Sequence, residues 1–134
     1  MAKELIMEND SAVLWYHPES KIVHHQIKKY VYGKELQELL LKGTELLKEK
    51  GAIKWLSDDR NSNAIRKADA EWGASVWFPL TVQYGWKYWA IVQPEKLIGQ
   101  LDMKRRIEQY AEKGITAKMF SDLDEALEWL EAQK

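Results

Sequence analysis

With 134 residues, 46% of them hydrophobic and 31% charged, the chain has the size and apolar content of one compact domain and lies outside the disordered range. Twenty Lys and Arg against twenty-one Asp and Glu leave a formal charge of -1, so there is no global field to draw in nucleic acid or an anionic membrane surface. The lack of any Cys rules out disulfides, a thiol nucleophile and cysteine-held metal. No apolar run approaches the roughly 18 residues of a membrane span, and the first residues lack the layout of a secretory signal, so a cytoplasmic location is expected.

Taken in chain order, a short strand is expected around Leu5 to Met7. Ala12 to His17 and Lys21 to Val31 are rich in β-branched and aromatic residues and flank the turn chemistry of His17-Pro18-Glu19-Ser20, which reads as a β-hairpin. Period-two geometry puts Val23, His25 and Ile27 on one face of the second strand and His24, Gln26 and Lys28 on the other, which should be wet. From Lys34 to Lys50, Leu36, Leu39, Leu40, Leu46 and Leu47 form a helical stripe, and Gly51 stands where a left-handed cap belongs. Gly43, inside that stripe, costs about 1 kcal/mol relative to Ala and implies a close backbone approach.

Ile53 to Ser57 should be an interior strand running into the polar loop Asp58 to Asn63. A helix from about Ala68 to Tyr84 carries Trp72, Val76, Leu80 and Tyr84 at helical spacing, kinked at Pro79. Trp86 to Val92 is apolar on both faces, as a central strand would be. A helix over Asp102 to Lys113, a half-exposed strand over Ile115 to Phe120 and a final helix opened by the capping sequence Ser121-Asp122-Leu123-Asp124 complete the chain. The expectation is a single α/β domain over residues 1–134, a mixed β-sheet with packed helices that begins with a hairpin and then alternates helix and strand.

The chemistry is less explicit. His24 and His25 point to opposite sides of a strand and His17 belongs to a turn, so the three do not make one site, and no metal or cofactor is expected. His25, among apolar neighbours, reads as a hydrogen-bonded structural imidazole. Asp58, Asp59 and Arg60 follow an interior strand, where open α/β sheets place ligand-facing groups; ion pairing or helix capping explains them as well. Acid/base catalysis by Asp58, Asp59 and His25 would require all three to meet in one cleft. Ser57 and Ser62 flank the charged step, with Ser62 the better placed to take a phosphate at the mouth of the next helix. The glycines are too scattered for a phosphate-cradling loop, and Lys104-Arg105-Arg106 reads as a solvated helix face. The seven Trp stand out. Most of the aromatic set should be core, yet Trp77 and Phe78 fall off the helical stripe, so a remainder drawn from these two, Trp72 and Trp86 should form an exposed patch for a partner or line an apolar pocket.

Trp15-Tyr16-His17-Pro18-Glu19, the leucine helix ending at Lys50-Gly51, Trp55 to Arg60, Trp77-Phe78-Pro79, Ala90 to Pro94, and Phe120-Ser121-Asp122 with Ala126 to Leu130 together resemble the uncharacterised SpoIIAA-like proteins across nearly the whole chain. That group sits with the STAS and Sec14-like domains. The resemblance implies a mixed sheet with packed helices, no catalytic machinery and often a homodimer. In the related anti-sigma-factor antagonists a phosphorylatable serine follows a central strand, and Ser62 is its nearest counterpart. The Sec14-like likeness implies an apolar ligand site. The chain is therefore expected to be a non-enzymatic interaction or regulatory module using Asp58, Asp59, Arg60, Ser62, Trp72, Trp77, Phe78 and Trp86. The alternative is a carrier or sensor of a small apolar ligand.

Overall fold

The structure, a computed structural model, describes residues 3–134; residues 1 and 2, which the single-domain expectation takes in, lie outside the described residues. Six strands form one sheet in sequential order: β1 (Glu4–Glu8), β2 (Ala12–His17), β3 (Ile22–Ile27), β4 (Lys54–Asp58), β5 (Tyr88–Val92) and β6 (Thr116–Phe120). The first three are antiparallel and joined by tight turns; β3 to β6 are parallel. Each parallel step moves the chain one strand in the same direction, and crossovers of one hand then put their helices on one face. Accordingly α1 (Gly33–Lys50), the helical run of α2 (Lys67–Trp72) and α3 (Phe78–Gln83), and α4 (Leu97–Ala111) cover one side, while α5 (Leu123–Glu131) covers the other.

Strand alternation divides the core between those faces. Val23, Ile27, Trp55, Trp89 and Ile91 point to the three-helix side with the leucines of α1, whereas Ile22, Leu56, Ala90 and Val92 meet Ala126 and Leu130 of α5. Gly51 ends α1 at φ 63°, as its position implies. Gly43 makes the expected close approach: its partner is Trp55, whose indole lies where a side chain would begin. The capping box is shifted by one residue. Asp122 is the cap of α5 and its carboxylate accepts the Glu125 amide at 3.1 Å, while Ser121 stays outside. Asp122→Ala should cost about 1 kcal/mol, checked by chemical denaturation at neutral pH.

The largest departure from expectation lies between residues 67 and 83. The run does not keep α-helical pitch up to a kink at Pro79; residues Gly73–Trp77 form a π-helical turn just before it. Proline lacks the amide that would bond four residues back, and the wider turn re-pairs the backbone, with the Phe78 amide reaching the Gly73 carbonyl. The extra residue per turn rotates the stripe. Gly73, Trp77, Phe78 and Thr81 face inward, and Val76 is turned outward. Trp77 and Phe78 are thus 4% and 3% exposed, and Trp86, which precedes β5, is 2% exposed, so the expected exposed aromatic patch is absent. Trp72 is half-buried against the same core. Large exposed apolar residues occur instead on α4, at Leu97, Ile98 and Leu101. No helix among the described residues is long and apolar enough to cross a membrane.

Candidate functional site

Parallel pairing sets His25 of β3 beside Ser57 of β4 on the three-helix face, and alternation returns Asp59 to that face two residues later. The three side chains gather near the C-terminal ends of these strands, where open α/β sheets place their ligand groups. Backbone bonds hold Asp59 in place, its amide donating to Val92 O at 3.0 Å and its carbonyl accepting the Ser62 amide at 2.9 Å.

A chain of buried hydrogen bonds runs through this group. Trp55 Nε1 donates to His25 Nδ1 at 3.0 Å, and His25 Nε2 lies 3.0 Å from Asp59 Oδ1. An indole nitrogen can only donate, which assigns the neutral ring's proton to Nε2, directed at the carboxylate. Both ring nitrogens are therefore occupied, as the sequence reading of a hydrogen-bonded structural imidazole expects. Ser57 Oγ accepts from Trp89 Nε1 at 2.8 Å, leaving its own hydroxyl proton free to donate.

These groups border a partly open cavity of about 100 Å³ flanked by α1, the helical run around Ala70 and Gly73, and α4. Its walls are mainly apolar, with Leu36, Leu40, Trp77, Trp89 and Met103 contributing, and Tyr30, Ser62 and Asn63 also line it. Tyr30 and Asn63 are exposed and Ser62 is half-buried. Tyr110 lines it too; burial pushes its phenol pKa up to about 12, with Arg106 opposing, and its hydroxyl has no hydrogen-bond partner among the described residues. Two further carboxylates nearby are already matched. Asp69 accepts from the Gly33 amide at 3.1 Å and from Arg66 Nε at 3.1 Å, and Asp102 accepts from Arg106 Nη2 at 2.6 Å.

Of the residues expected from sequence, Asp59, Ser62 and Trp77 line the cavity. Asp58 points to the opposite sheet face, where Arg60 Nε and Nη2 grip it at 2.9 and 2.7 Å. The triple meeting of Asp58, Asp59 and His25 is therefore not formed. Ser62 does not open a helix, since the cap position of α2 is Arg66, four residues later. Trp72, Phe78 and Trp86 pack in the core beside the cavity and do not line it. The sequence reading missed the joint site of Ser57, Asp59, His25 and Tyr110. Its signal was the odd-numbered series Trp55, Ser57, Asp59, which becomes informative once the register with β3 is known. Among the described residues no group of three or more side chains is placed to hold a metal ion.

Comparison with known proteins bears on the fold. A crystal structure of an uncharacterised protein of the DUF3478 family from Shewanella loihica PV-4, described as having a SpoIIAA-like fold, superposes with a TM-score of 0.53. It shares 18% identity and covers 96% of this chain and 92% of its own. No curated protein matches. The SpoIIAA-like family model matches residues 14–131, which takes in both sheet faces, all the helices and every residue of the cavity, and the chain belongs to the SpoIIAA-like family.

Proposed function

We propose that this SpoIIAA-like chain is a non-enzymatic regulatory module that senses a small, mostly apolar ligand in the Asp59 cavity. The observation that carries this reading is the lining: apolar walls interrupted by Asp59, Ser57 and Tyr110, each with hydrogen-bonding capacity not used inside the protein. Ligand sites are commonly built this way, with a few polar groups setting orientation in an apolar hollow. A cavity of about 150 Å³ takes benzene, so one of about 100 Å³ suits a ligand of about four heavy atoms. Occupation of both His25 nitrogens leaves that ring without a free lone pair for general-base work. Assembly of two copies is part of the same proposal, supported by the exposed Leu97, Ile98 and Leu101; a strictly monomeric sedimentation profile would count against it.

Ligand-observed NMR with a set of small organic fragments tests the sensing role. Wild type should bind some members saturably and return them unchanged, and Ala70→Phe, which fills the hollow from a half-buried position, should weaken them at least about tenfold. Absence of any binder, or conversion of a bound fragment to product, would defeat the proposal.

A further inference from the structure

We infer that the cavity is selective for a small organic cation, an ammonium carrying a few short alkyl groups; this rests on the small-ligand reading above. Asp69 is matched by Arg66 and Arg106 by Asp102, at 3.1 and 2.6 Å, so those pairs leave no net charge on the lining. Asp59 has no such cation. Its partner is His25, and the Trp55 indole occupying Nδ1 means that this ring supplies a proton but no charge. Asp59 is 6% exposed and sits among apolar walls, where an unpaired charge is costly and a ligand of opposite sign is favoured.

The walls favour the same chemistry. Trp77, Trp89 and Tyr110 all line the hollow, with Trp89 and Tyr110 centred 5.5 Å apart and Trp77 and Tyr110 6.3 Å apart. Aromatic faces attract cations through their quadrupoles, and the attraction grows when water is excluded. A carboxylate in a hollow whose wall includes three rings thus suits an ammonium whose N–H reaches Asp59 and whose methyl groups meet the apolar wall. The volume limits such a ligand to about four heavy atoms.

The test compares isopropylammonium chloride with 2-propanol, which have nearly the same shape and differ in charge, at equal ionic strength. Binding is followed through the indole N–H resonances of Trp55 and Trp89, which report on His25 and Ser57 directly. The cation should bind at least about tenfold more tightly than the alcohol. Asp59→Asn should bring the two within about threefold. The wild-type comparison stands even if that variant folds poorly. Equal affinities, tighter binding of acetate than of the ammonium, or no binding of the ammonium would overturn the inference. In those cases the small-ligand reading still stands or falls on the fragment screen.

Discussion

Gly43→Ala is expected to destabilise the protein by about 1 to 3 kcal/mol, the reverse of the gain of about 1 kcal/mol that the same change brings on an open helix surface. A Cβ at position 43 would run into Trp55 Cη2 and lie 2.7 Å from Cζ2. The indole has nowhere to retreat. It is 0% exposed, packs edge-on to Trp77 at 5.4 Å and against Trp86 at 5.9 Å, and its nitrogen is bonded to His25. Relief must come from α1 moving off the sheet, which would uncover Leu39, Leu40 and Leu47. A double-mutant cycle isolates the contact. Trp55→Phe alone loses buried volume and leaves His25 Nδ1 unpaired, at a cost of about 2 to 4 kcal/mol. It also removes the outer ring that meets residue 43, so the two changes together should be at least about 1 kcal/mol less damaging than their sum, as read by urea denaturation. Strict additivity would show that Trp55 is not what requires glycine there.

The same contact shows how far the sequence reaches. A glycine inside a leucine stripe announces that something comes close, but the partner lies twelve residues on in another element and no local pattern names it. Element order and type were legible because helices and strands impose different periods on apolar residues, and the pure α-helical period failed where the backbone changed pitch. The π turn over Gly73–Trp77 moved Trp77 and Phe78 from the outer to the inner face, converting a supposed surface into core. Thr44 and Thr81 are hidden for a related reason. No local pattern marks them as core, yet they are buried because their hydroxyls lie 2.8 Å apart in one hydrogen bond and Trp77 Nε1 donates to Thr44 at 2.9 Å. At the site, alternation separates Asp58 from Asp59 as it does His24 from His25. Which carboxylate meets which histidine depends on the register of β3 against β4, a long-range quantity set by packing.

Acidification from pH 7.5 to 5 is expected to remove about 2 kcal/mol of stability through His24 alone. Its side of β3 should have been wet, yet His24 is 1% exposed, lying against Trp15 and His17. Nδ1 is 2.9 Å from His17 Nε2, and Nε2 is buried without a hydrogen-bond partner. Burial first, then the nearby His17 and Lys3, pushes the His24 pKa from 6.5 down to about 2. The sign follows from proton uptake. Below pH 6.5 the unfolded chain protonates this ring and the folded one does not, so stability is intact above 6.5 and falls as pH drops toward 2. His17, lowered by burial and by Lys3, adds to the slope in the same direction. His24→Leu removes both the titrating ring and the orphan nitrogen while keeping apolar bulk beside Leu56. Urea denaturation at pH 7.5 and 5 should therefore show the variant losing at least about 1 kcal/mol less than wild type. Equal losses in the two proteins would place the acid sensitivity elsewhere in the fold.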